Sequence, residues 1–172
     1  MILPAMQMKS LKKKKNIFKV RSCVINGDSR EIDYAKILKE CGISSIQFLI
    51  MHPPYWDIIK FSDDKNDLSN SESLQSFLNS FGKVVDRTYP LLDSGRYFAL
   101  VIGDKYSNGE WIALGFYAMQ EVLKRGYKLK SIIVKNFDET KGKRDQKKLW
   151  RYRALAGGFY IFKHEYIFLF RK

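Results

Sequence analysis

The residues best suited to chemistry stand together at His52-Pro53-Pro54-Tyr55-Trp56, directly after the apolar run SIQFLIM of residues 45–51. Two consecutive prolines fix φ and remove two backbone donors. The carbonyls of His52 and Pro53 are thereby left without local partners and can face a ligand, while Tyr55 and Trp56 present flat aromatic faces. Carbonyl acceptors beside rings suit a planar group bearing an amine, because the oxygens accept from the amine as the ring stacks. A nucleobase has that form.

Three further groups carry chemistry by residue type. Asn26-Gly27-Asp28-Ser29 is a tight polar turn, in which Asp28 either caps the helix that follows or faces a ligand. Asp104 and Lys105 lie in a second turn, where they bind a target or close the loop. Residues 141–153, KGKRDQKKLWRYR, interleave Trp150 and Tyr152 with Lys143, Arg144, Lys147, Lys148, Arg151 and Arg153. That mixture fits phosphate contact with stacking, or a solvated helix face. His164 reads as structural, and two histidines with no Cys-x-x-Cys give no expectation of a metal site.

The elements that must position these residues follow from the apolar pattern. Residues 22–26 read as a strand ended by Gly27-Asp28, and 31–41 as a helix with Ile32, Ala35 and Leu38 on one face. The run at 45–51 reads as a strand covered on both faces, which Pro53-Pro54 terminates. An amphipathic helix is expected over 71–92, a strand over 96–102, a helix over 110–125 and a strand over 127–135. Residues 159–162 and 165–170 suggest a terminal hairpin. Alternating strands and helices predict an α/β domain with a mostly parallel sheet, whose ligands bind outside the carboxyl ends of the strands. The turns at Gly27-Asp28, His52–Asp57 and Gly103–Tyr106 then share one functional edge.

Charge is divided unevenly along the 172 residues: net +7 over 1–21, −5 over 22–122 and +11 over 123–172. Two basic ends around an acidic centre point to a polyanion, since each matched Lys or Arg releases a counterion from phosphate. The first 21 residues read as a flexible basic arm. Cys23 and Cys41 are too few for a disulfide framework, and no apolar run reaches the ~20 residues of a membrane helix, so a cytoplasmic protein with no membrane partner is expected.

The turn at residues 52–56 resembles the signature of the amino-group DNA methyltransferases, which have Asp, Asn or Ser before Pro-Pro-Tyr or Pro-Pro-Phe; Trp56 extends it as in many cytosine N4 members. Asn26-Gly27-Asp28-Ser29 resembles that family's Gly-Asp turn beside the cofactor's adenine. Arg96 to Asp104 looks like the strand after the catalytic one, and His164-Glu165-Tyr166-Ile167 resembles the end of the catalytic half. The resemblance covers residues 22–172 and implies a Rossmann-like methyltransferase sheet. It further implies a site-specific enzyme, as in restriction-modification, transferring a methyl from S-adenosylmethionine to adenine N6 or cytosine N4 of DNA. His52, Pro53, Pro54 and Tyr55 would be catalytic, with Tyr55 and Trp56 stacking on a rotated-out base and Asp28 and Ser29 contacting the cofactor.

Two departures stand out. His52 occupies the position of the usual Asp, Asn or Ser, so a neutral imidazole must accept one hydrogen bond where they accept. The family's Phe-x-Gly-x-Gly cofactor loop is absent; Gly157-Gly158 and Gly103-x5-Gly109 lack its spacing. The sheet is therefore expected to be incomplete, with the glycine-rich loop on a second subunit or a missing C-terminal segment. Alternatives are a non-catalytic nucleic-acid-binding subunit and an RNA amino methyltransferase.

Overall fold

A computed structural model describes residues 22–137, 147–161 and 163–172. The arm expected over 1–21, and Lys143 and Arg144 of the basic stretch, lie outside them. In chain order the elements are α1 (Tyr34–Glu40), β1 (Ile46–Met51), α2 (Leu74–Thr88), β2 (Leu92–Ile102), β3 (Lys105–Ser107), β4 (Glu110–Ile112), α3 (Leu114–Leu123), β5 (Lys128–Asn136), α4 (Lys147–Gly157) and β6 (His164–Arg171).

The main sheet has the order β1-β2-β6-β5, and β3 and β4 form a separate small ribbon. β1 is parallel to β2, and β6 is antiparallel to both β2 and β5. Three of the four strands thus run one way, as the helical crossovers through α2 and α3 require. The α/β class and the prevailing parallel direction agree with the sequence reading.

Four expectations are corrected. Residues 22–26 form no strand; no described strand lies beyond β1 to pair with them, and Val24 and Ile25 are exposed. β1 is not covered on both faces, because Phe48 and Ile50 project from it 52% and 60% exposed. The helix over 110–125 splits: Glu110–Ile112 pairs with Lys105–Ser107 across a turn in which Asn108 and Gly109 both take positive φ. Among the described residues Phe159–Ile161 are not a strand and form no hairpin with 165–170; β6 pairs instead with β5, across a connection containing α4. Helix starts move to polar caps, with the side chain of Asp33 accepting from Lys36 N and that of Ser73 from Ser76 N.

The core lies on one face of the sheet. Phe98, Leu100 and Ile102 of β2 and Phe168 and Phe170 of β6 pack with Phe77, Phe81 and Val85 of α2 and Leu114, Ala118 and Val122 of α3. Register brings Phe98 opposite Phe170 and Leu100 opposite Phe168, so aromatic rings line the strand pair nearest both helices. The opposite face carries Phe48 and Ile50, Tyr97, and Ile133, all exposed. It is an apolar surface, and the sheet's two edge strands are β1 and β5. No helix among the described residues is long and apolar enough to cross a membrane.

Candidate active site

The three turns expected on one edge do meet. A cleft of about 740 Å³ opens beyond the carboxyl end of β1, lined by Gly27 and Ser29 from the first turn and by His52, Pro53, Pro54 and Tyr55 from the second. Apolar side chains including Ile25, Ile32, Phe61 and Val84 complete its wall. The third turn reaches it through Tyr55: a Cβ on Gly103 would stand 2.8 Å from the Tyr55 ring, so glycine lets the ring lie against the end of β2.

Tyr55 is also held at its far end. Its hydroxyl donates to Oε2 of Glu165 at 2.5 Å, and Lys135 Nζ donates to Oε1 of the same carboxylate at 2.7 Å. Lys135 and Glu165 are direct partners across β5 and β6, and Glu165 is 4% exposed. Burial alone would raise the pKa of Glu165, but the hydrogen bonds from Lys135 and Tyr55 outweigh it and hold the carboxyl below its ordinary value. Burial and the adjacent carboxylate push the Tyr55 phenol well above its own. His52 Nε2 lies 3.2 Å from the Tyr55 hydroxyl, with the imidazole exposed toward the cleft.

Trp56 goes elsewhere. At φ 53° it turns back toward the core, its indole N–H donating to the Ser71 carbonyl at 2.8 Å, and it does not line the cleft. Lys105 Nζ sits 4.1 Å from the centre of its ring and also pairs with Asp57. The loop-closing alternative for Lys105 is the one seen. Asp104 likewise closes structure: buried, it accepts from Trp111 Nε1, Tyr166 OH and Gly115 N.

Asp28 is taken up by its own turn. Its carboxylate accepts from Arg30 N and from the Arg30 guanidinium at 2.6–3.2 Å, and the guanidinium holds its pKa below the ordinary value. Asp28 does not cap α1, a position filled by Asp33, and of the Gly27–Ser29 turn it is Gly27 and Ser29 that line the cleft. Of the basic stretch, Lys147, Lys148, Arg151 and Arg153 fall on α4, where Arg151 and Arg153 are exposed.

Sequence reasoning passed over Glu165 and Lys135 as site residues and gave Gly103 no role beyond its turn. Glu165 had a signal: it is the one acidic residue in an aromatic strand, and a carboxylate there must be paired. Asp67, between β1 and α2, was also missed. It lines the cleft almost fully buried, accepting from Ser62 Oγ, Ser69 Oγ and Ser69 N at 2.8–2.9 Å.

The chain is similar in fold to solved proteins that share about a fifth of its residues or fewer. A candidate DNA modification methylase from Thermus thermophilus superposes at TM-score 0.55 with 21% identity, over 85% of this chain and 52% of that one. Its complex with S-adenosyl-L-methionine gives 0.54 and 19%, over 85% and 53%. The cytosine-N4-specific PvuII DNA methyltransferase gives 0.50 and 14%, over 74% and 42%. The chain thus spans about half the length of the solved proteins it matches. Curated protein sequences gave no significant match. A family model for N6/N4 DNA methylases matches residues 46–172, from β1 to the last residue and through every strand of the sheet. By that match the chain belongs to the DNA methylase family.

Proposed function

We propose that this chain supplies the target-amine half of an S-adenosylmethionine-dependent DNA methyltransferase acting on cytosine N4 or adenine N6. The observation that carries the reading is the meeting of the Gly27–Ser29 and His52–Tyr55 turns on one cleft, in a member of the DNA methylase family. An exocyclic amine is a weak nucleophile because its lone pair is delocalised into the ring. Acceptors that hold both N–H groups favour a pyramidal nitrogen with the lone pair localised. His52 and the Pro53 carbonyl are those acceptors, and the Tyr55 ring stacks on a base rotated out of the duplex. The apolar wall excludes water from the reacting centre.

Bound S-adenosylmethionine would supply a sulfonium methyl to the attacking nitrogen. The described residues fit part of such a ligand. Ser29 offers a hydroxyl to the cleft, and the side-chain oxygen of Asn26, next to Gly27, is buried without a partner among the described residues. Asp28, already bonded to Arg30, shapes the turn that carries both residues. The remaining cofactor contacts belong to a glycine-rich segment on a second subunit or on a further stretch of the protein. The half-length match and the open face around Phe48, Ile50 and Ile133 support such a complement. Arg151 and Arg153 of α4, with Lys147 and Lys148, are assigned to the DNA phosphates.

The test is transfer of a labelled methyl from S-adenosylmethionine to DNA by the chain joined with its complement. Loss of transfer in His52→Ala, with folding kept, is the expected result. Wild-type rates in that variant overturn the assignment, and DNA binding with no transfer by any form favours a non-catalytic binding subunit.

A further inference from the structure

His52 stands where acceptor-only or freely rotating side chains serve in related turns, and an imidazole accepts on one nitrogen only, the one without the proton. Which nitrogen that is follows from the hydrogen bonds behind the ring. Glu165 is ionised, buried and bonded on both oxygens, by Lys135 and by Tyr55. A carboxylate donates nothing, so the one proton of the Tyr55 phenol is committed to Glu165. Toward any other neighbour the phenol oxygen can only accept. The neighbour is His52 Nε2, at 3.2 Å. Two acceptors do not bond, so Nε2 carries the hydrogen and donates it to Tyr55.

We propose that Glu165 is a positioning residue that fixes the tautomer and orientation of His52 through Tyr55. The relay runs Lys135 to Glu165 to Tyr55 to His52, and leaves Nδ1 with its lone pair directed away from the relay, as the acceptor for the target amine. This lengthens by one phenol the carboxylate–imidazole arrangement by which proteins set the second nitrogen of a histidine. It explains how an imidazole can occupy this position. It rests on the reading of His52 as an amine acceptor for its consequence in catalysis, but the tautomer itself is independent of that reading.

Glu165→Gln reverses the relay at nearly constant shape. Lys135 donates only, so it takes the amide oxygen and turns the NH2 toward Tyr55. The phenol oxygen then accepts from Gln, its proton turns to His52 Nε2, and the imidazole proton moves to Nδ1. The protein contains two histidines, so a nitrogen-15/carbon-13 correlation spectrum of histidine-labelled full chain is simple to read, with His52→Ala assigning the signals. It is recorded at the alkaline end of a pH series, where the histidine signals no longer move.

The expected result is a donor-type Nε2 and an acceptor-type Nδ1 in the wild type, exchanged in Glu165→Gln. Tyr55→Phe, which cuts the relay without touching Glu165, should give averaged signals for both nitrogens. Unchanged His52 signals in both variants overturn the proposal. In the methyl-transfer assay Glu165→Gln should lower kcat about 10²-fold, the cost of losing one positioned acceptor, with KM for DNA little changed. An exchanged tautomer with undiminished kcat retains the relay and refutes His52 as acceptor. An unexchanged tautomer with transfer abolished by His52→Ala does the reverse.

Discussion

Gly103→Ala tests how closely the end of β2 is fitted to the His52–Tyr55 turn. The added Cβ would stand 2.8 Å from Tyr55 Cε2, 3.2 Å from Cδ2 and 3.6 Å from Cζ. Carbon pairs settle at about 3.5 Å or beyond, so the ring edge must give by about 0.7 Å. It has little freedom to do so, tied by its hydroxyl to Glu165 and preceded by two prolines. Overpacking of this kind costs about 1–3 kcal/mol. Against it stands the gain of about 0.4–1 kcal/mol that alanine brings by restricting the unfolded chain, available because Gly103 has no positive φ. The net expectation is a loss of roughly 0.5–2 kcal/mol.

The sign of the effect should depend on Tyr55. In a Tyr55→Ala background the clash is gone, and Gly103→Ala should become neutral or stabilising by up to about 1 kcal/mol. Urea unfolding of the four proteins closes the cycle, and a coupling of about 1–3 kcal/mol is expected. Additivity within about 0.5 kcal/mol would mean the ring does not rest on Gly103 and would refute the packing on which the site is built.

Acid should weaken the fold through Glu165 and Asp67, both held below the ordinary carboxylate pKa. Such groups stabilise fully above the unfolded value of about 4 and lose that contribution as pH falls through the folded value, so Asp67→Asn should flatten the acid limb of urea midpoint against pH. Arg151→Ala with Arg153→Ala should reduce the slope of log K against log salt for duplex DNA by about 1.8 if each contacts one phosphate, and an unchanged slope would remove α4 from the interface. Phe48→Lys with Ile50→Lys should leave the unfolding midpoint of the chain nearly unchanged, since both are half exposed, yet abolish assembly with the proposed complementary half in sedimentation.

The sequence showed the His52 turn and its neighbour at Gly27-Asp28 because their signals are local: two prolines, a Gly-Asp pair and an apolar run need no partner to be recognised. The α/β order was legible for the same reason. Residues 22–26 were misread because strand propensity is realised only beside another strand, and none is described there. The short hairpin failed because Phe159–Ile161 and the β5 run compete for one partner, and the longer ladder between β5 and β6 wins. Glu165 and Lys135 are 30 residues apart, and Tyr55 and Glu165 110 apart, so no local pattern could join them. Trp56 had the right type for stacking, but its positive φ and the Ser71 carbonyl direct it inward.

The two faces of the sheet explain why the site is built at its edge. α2 and α3 both pack on the Phe98–Phe170 face, so all helical support of β1 comes from one side. The turn after β1 must then be braced by something other than a layered core. Three ties do this from three directions: Gly103 beneath the Tyr55 ring, Glu165 at its hydroxyl, and Lys105 on Asp57 and the Trp56 ring. Gly103 lies in the loop after β2, Lys105 opens β3 and Glu165 lies in β6, so the turn is held from three separate segments even with the other face of β1 open. A half-covered sheet can therefore hold the His52–Tyr55 turn in place. On the proposed function, the free edge of β1 and the exposed Phe48 and Ile50 are where a complementary half would dock.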